Sequence, residues 1–190
     1  MSVNKNPRYS KNRQKHKKFQ INKKWIILGL LVLILSLFVN IWAVAWLVIF
    51  CVGNSILLAF NRYFDGPLDP EISTFSAILM TLKYGLNFGI ATAILTKFVS
   101  MLYIKKIKAN YFFMMIGYVS AALLANLFRG LHVITLGFIV TVLANVIQYF
   151  IRKFVVNYSD FEVFSYGFTN IIFNVILFVG FSEILLFLMV

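Results

Sequence analysis

Residues 25–60 of this chain carry no charged side chain. Few folds accommodate such a stretch. As one straight helix it would reach about 54 Å at about 1.5 Å per residue, against a bilayer hydrocarbon core of about 30 Å. Asn40 divides the run, Trp25 marks its start, and Trp42 and Trp46 stand just past the division. Tryptophan favours the membrane interface, so the pattern predicts a hairpin, with one helix over 25–39 and a second over 42–60. Further apolar runs continue to the C-terminus. They are unbroken rather than alternating, which points to helices and not to the strands of a transmembrane barrel.

Composition agrees. The chain is 61% hydrophobic and 13% charged, where a soluble domain carries about 25% charged residues. Its polar residues are too few to coat a water-soluble globule, so lipid must solvate most of residues 25–190. The expected fold is all-α, a polytopic transmembrane bundle of about six to seven helices behind a basic tail over residues 1–24.

The net charge of +12 raises the question of nucleic acid, and its distribution answers it. Nine of the 18 Lys and Arg lie in the first 24 residues. Such a tail is held on the cytoplasmic side by the positive-inside rule and adheres to anionic lipid headgroups, at about 1 kcal/mol per basic residue. Basic tails also contact polyanions without sequence preference, but no specific nucleic-acid partner is expected. No small-residue cleavage site closes the first apolar run, so the first helix is read as uncleaved.

Beyond residue 60, further helices are expected at about 72–84, 87–104, 110–128, 131–151 and 164–190, with "NYSDFEVFSYG" as an interfacial loop before the last. Counting both arms of the hairpin, seven crossings from a cytoplasmic N-terminus place Arg62, Lys105, Lys106, Lys108, Arg152 and Lys153 inside. Only Arg129 and Lys83 then fall near the outer face. Reading 25–60 as one span would reverse this and put the later basic clusters outside, against the charge rule. The expected location is therefore the cell membrane.

Half of the six acidic residues, Asp65, Asp69 and Glu71, lie within the connector "NRYFDGPLDPEISTF". "LDPEIS" reads as a helix start, with Asp69 capping, Pro70 in the first helical position and Glu71 favoured by the helix dipole. The three carboxylates lack the spacing of a calcium loop, so no metal site is assigned.

Ionisable residues inside spans are functional candidates by default. Glu183, Lys83 and Arg129 should reach similar depth near the outer face. The expectation is a polar cluster there, with Glu183 paired to Lys83 or Arg129 and His132 close by; Lys97 is expected to snorkel towards the inner surface. Small residues recur at helical spacing as Gly85, Gly89 and Ala93, and as Gly117, Ala121 and Ala125. Asn170 and Asn174 share one helix face. Such stripes let helices approach closely while buried amides bond across them. The same amides could line a cavity for a small uncharged solute.

Catalysis has little support. His16 and His132 lack an evident nucleophile or ligand partner, no Gly-x-Ser-x-Gly elbow or His-Glu-x-x-His motif occurs, and the lone Cys51 permits neither an internal disulfide nor a thiolate cluster. No cofactor is expected.

The stretch "ISTFSAILMTLKYGLNFGIATAILTKFVSML", residues 72–102, joins a short helix, a glycine turn and a glycine-rich helix. It resembles the corresponding unit of the substrate-binding S components of energy-coupling-factor vitamin transporters, and of the rod-shape protein family MreD. Gly85, Gly89 and the small residues after them carry the resemblance, while Lys83 and Asn87 stand where that unit is usually apolar. The resemblance implies an S-component-like bundle that either scaffolds partner membrane proteins or binds a small solute. It transfers no ligand residues.

Overall fold

The computed structural model describes residues 40–60, 70–105, 107 and 109–189. The basic tail, the first arm of the hairpin, Arg62, Asp65, Asp69, Lys106 and Lys108 lie outside the described residues. Six helices are present among those described, and no strand: α1 (Ile41–Phe60), α2 (Ser73–Tyr84), α3 (Leu86–Tyr103), α4 (Ala109–Leu127), α5 (Val133–Phe150) and α6 (Asp160–Leu188). Five of them are long and apolar enough to cross a membrane. The exception is α2, whose 12 residues reach only about 18 Å.

Asn40 caps the start of α1: its side-chain Oδ1 accepts from the Ala43 N–H at 3.2 Å. That bond satisfies one of the donors every helix start leaves open. From there α1 runs in the same direction as α3. Its C-terminal half meets the C-terminal half of α3, where Asn54 Nδ2 donates to the Ser100 hydroxyl at 3.1 Å and to the Thr96 carbonyl at 3.3 Å. The helices from α2 to α6 then alternate in direction through short connections. Two ends result. One holds the α2–α3 turn, the α4–α5 link and the C-terminus of α6; the other holds the C-termini of α3 and α5.

Helix α2 occupies the centre. It touches all five other helices, and every residue from Ser73 to Thr81 is buried. A helix buried on all sides belongs to a core, yet the buried stretch Ser73–Thr81 carries four hydroxyls. Three find partners nearby: Ser76 donates to the Ser73 carbonyl at 3.2 Å, Thr81 to the Ala77 carbonyl at 2.8 Å, and Ser73 accepts from Thr96 at 3.1 Å. The expected helix start differs here. Ile72, not Asp69, occupies the N-cap, and it makes no side-chain capping bond. Pro70 and Glu71 precede the helix.

Gly85 makes the α2–α3 reversal. Its φ of 94° and ψ of 170° lie where side-chain-bearing residues are strained, and nothing stands within 4 Å of the space a Cβ would take. It serves the turn rather than a helix contact, unlike the other small residues of its stripe. Gly85→Ala is expected to destabilise the protein by about 1–3 kcal/mol through backbone strain alone, read from reversible unfolding in mixed micelles.

The last helix begins earlier than the sequence suggested. Ser159 and Glu162 form a reciprocal capping box, with Ser159 Oγ accepting from the Glu162 N–H and the Glu162 carboxylate accepting from the Ser159 N–H. This satisfies two backbone donors at once and draws residues 160–163, expected as loop ahead of a helix from about 164, into α6. Upstream, α5 does not stop at Ile151 but widens into a π-helical turn over Ile151–Val155. Asn157, at a φ of 61°, then terminates it in a conformation that asparagine tolerates.

Candidate functional site

The most unusual chemistry sits beside the start of α2. Lys97 Nζ donates to Glu71 Oε2 at 2.6 Å, with the two side chains 1% and 0% exposed. Lys97 lies six residues before the end of α3, hence about 9 Å inside that helix end. The segment entering α2 thus descends into the bundle before turning helical. Non-helical backbone at such depth is tolerated only where protein surrounds it, and protein does: the Ile72 N–H donates to Asn54 Oδ1 on α1 at 3.0 Å. Glu71 is therefore a buried ion-pair partner rather than a helix-dipole residue. Lys97 does not snorkel to the surface.

Aromatic faces complete the lysine's surroundings. Its Nζ lies 5.0 Å from the Tyr111 ring centroid and 5.8 Å from that of Tyr118, both on α4. Both distances fall within the reach of cation–π attraction. The Tyr118 hydroxyl is buried without a hydrogen-bond partner. Around this pair the hydroxyls of Ser55, Ser73, Thr96 and Ser100 and the Asn54 amide form a connected polar patch across α1, α2 and α3. A proton acceptor, a proton donor and a ring of neutral hydrogen-bonding groups can bind or relay a charge. Among the described residues no three His, Cys, Asp or Glu side chains converge on a metal-sized site.

A second polar seam joins α5 and α6. Asn145 Nδ2 donates to Asn170 Oδ1 at 3.0 Å, and Asn174 Nδ2 reaches the same oxygen at 3.2 Å. One turn on, Gln148 leans towards the Met114 carbonyl and accepts from Arg152 Nη2 at 2.9 Å. The Arg152 guanidinium, 3% exposed, lies 5.2 Å from the Tyr166 ring centroid. Asn170 and Asn174 are thus drawn together as their spacing suggested, with Asn145 as the cross-helix partner. Arg152, expected as a flanking topology residue, is instead inside.

At the opposite end, Glu183 meets His132, at 3.2 Å between Oε1 and Nε2, with both side chains largely exposed. Lys83 and Arg129 take carbonyls: Lys83 Nζ donates to Leu186 at 3.4 Å and Arg129 Nη2 to Leu82 at 2.8 Å. All four polar residues share this end, yet the expected pairing of Glu183 with Lys83 or Arg129 is replaced by His132. The reason is helical phase. His132 stands at the N-cap position of α5, without a side-chain capping bond, and α5 packs along α6, whereas Lys83 and Arg129 reach carbonyls of the last turns of α6 and α2.

The small residues mark close approaches. A Cβ on Gly89 would fall 1.8 Å from Thr81 Oγ1 and one on Gly117 2.2 Å from the Gln148 side chain. Ala93, Ala121 and Ala125 are fully buried. Gly137, which no stripe flagged, lets the Phe178 ring approach to 2.3 Å of the space a Cβ would fill. The Glu71–Lys97 pair also escaped the sequence, because the two residues lie in a connector and a span with no shared motif. The available signal was a lysine in the middle of an apolar run. Comparison with protein-family models, with curated proteins and with solved structures yields no match for this chain.

Proposed function

We propose that this is a non-enzymatic multi-pass protein of the cell membrane that scaffolds or assembles other membrane proteins, in the manner that its resemblance to MreD implies, with its basic tail on the cytoplasmic side. The observation that supports this reading is α2. It stands on the bundle axis, packed against every other described helix, and its side chains fill the space where a central solute cavity would lie. A bundle solid at its centre offers its outer faces, and α6 offers the largest: Phe161, Phe164, Phe168 and Phe187 all project outward. The buried ion pair fits the same role, since it fastens the descending segment to α3 and makes the bundle stiff.

The alternative is a substrate-binding subunit like the S components, taking a small, largely uncharged solute. The polar patch around Glu71 and Lys97 favours it. Photo-crosslinking from α6, with a benzophenone side chain at Phe168, separates the two. Crosslinks to cell-envelope or shape proteins are expected. Crosslinks to an ATPase-coupled transmembrane module instead would replace the scaffold reading with the transport one.

A further inference from the structure

Helix α6 is the least covered span of the bundle. Only 17% of its membrane-crossing stretch is buried, against 33–39% in the other four spans. Ile176, Val179, Glu183 and Phe187 recur at helical spacing and form a stripe on its outward side, each more than half exposed. Glu183 is the charged member of that stripe. A carboxylate among apolar neighbours in a span calls for a partner, and it finds His132 at 3.2 Å, itself 64% exposed. Lys83 and Arg129, the cations at this end, do not serve it. They donate instead to the carbonyls of Leu186 and Leu82.

The backbone fixes where both side chains start. The His132 carbonyl accepts from the Leu136 N–H at 2.8 Å, which opens the helical ladder of α5, and Glu183 stands in the regular part of α6. Imidazole nitrogen and carboxylate oxygen are ordinary zinc ligands, at about 2.0–2.2 Å from the metal. Two such ligands on one tetrahedral ion stand about 3.4 Å apart, close to the observed separation of Nε2 and Oε1. One pair of this kind makes half of a closed four-ligand shell. Among the described residues no third His, Cys, Asp or Glu of the same chain joins it.

We propose that His132 and Glu183 are half of a zinc site, and that a second copy of this chain, docked on the outward stripe of α6, supplies the other half. Two-fold pairs are the commonest assemblies. An axis along the membrane normal keeps every residue at its own depth, so the pair on one copy meets the same pair on the other. Two imidazoles and two carboxylates then close the shell. The charges balance as well, because two carboxylates neutralise one divalent cation while both imidazoles stay neutral. Without the ion the same approach would set two carboxylates together beside lipid, so association depends on the metal. Gly180, three residues before Glu183, has nothing within 4 Å of the space a Cβ would take, which lets a second α6 come close at this level. The inference goes beyond the scaffold reading and does not depend on it.

The test is native mass spectrometry of the full chain in detergent, purified without a histidine tag and stripped with EDTA, because this method reads metal and copy number together. His16→Ala is built into every sample, which leaves His132 as the sole histidine. Added zinc is expected to bind as one ion per two chains and to turn the monomer into the dimer. Magnesium, which demands octahedral oxygen ligands, should leave the monomer unchanged. His132→Ala and Glu183→Gln should each lose zinc and dimer together. Both side chains are largely exposed, so each variant should unfold at the same temperature as its parent, and thermal unfolding of the metal-free samples checks that. Either variant alone keeps the test decisive if the other does not fold. One zinc on a monomer overturns the proposal, as does zinc retained by His132→Ala or Glu183→Gln. A dimer that persists in EDTA overturns it too, and so does a chain that takes no zinc.

Discussion

Lys97→Met is expected to destabilise the protein by about 3–5 kcal/mol, because it removes the cation bonded to a fully buried Glu71 carboxylate. The pair is 2.6 Å long and its two side chains are at most 1% exposed, so neither partner has solvent to fall back on. Glu71→Gln should cost less than Lys97→Met. An amide removes the charge but can still accept from the lysine, which also keeps the Tyr111 and Tyr118 rings beside it. The informative variant is the double replacement of Glu71 and Lys97 by glutamine and methionine. If the pair acts only as a fastener, the double variant should recover much of the stability lost by Lys97→Met, since exchanging a buried ion pair for neutral groups is often near neutral. Unfolding in mixed micelles measures this. Recovery of stability together with loss of partner crosslinking from Phe168 would instead mean that the charges themselves serve the function.

The second large effect is expected at Gly89. There α3 lies so close to α2 that even an alanine Cβ would sit 1.8 Å from Thr81 Oγ1 and 3.0 Å from the Ala77 carbonyl oxygen. Thr81 cannot simply rotate aside. Its β-branch restricts χ1 in a helix, and its hydroxyl is bonded to that same Ala77 carbonyl. Gly89→Ala is therefore expected to cost about 1–3 kcal/mol by overpacking, and Gly89→Leu to prevent α2 from seating. Gly130→Ala is the control, because nothing stands within 4 Å of the space its Cβ would occupy; its unfolding midpoint should stay close to wild type. A Gly89→Leu variant that unfolds like wild type would remove α2 from the centre of the fold.

What could be read without coordinates was whatever depends on local solvation and local backbone geometry. The apolar runs announced helices in lipid, and five described helices have the length and apolarity to cross a membrane. Asn40 could be placed at a helix boundary because a polar amide beside an apolar run has few other places to be, and α1 does begin just after it. Gly85 marked a reversal and Asn170 with Asn174 a shared face, since both follow from the chain's own periodicity. Where local rules overreached, a longer-range contact had displaced them. "LDPEIS" has the composition of a helix start, but Glu71 does more for the fold against Lys97 than at the helix dipole, so the helix begins at Ser73. "NYSDFEVFSYG" is polar enough for a loop, yet it holds the Ser159–Glu162 box that starts a helix.

The tertiary structure alone decided which charges meet. Helix direction and phase brought Glu71 to Lys97 and His132 to Glu183, and placed Lys83 and Arg129 over carbonyls. Burial of α2 also belongs to packing and not to pattern. Ser73–Thr81 is no more apolar than its neighbours, and only the five surrounding helices make it the core. Hydrophobicity determines which residues leave water and in what secondary structure. In lipid it no longer distinguishes a residue facing the bundle from one facing the bilayer, so that choice falls to close approach, hydrogen bonds and paired charge.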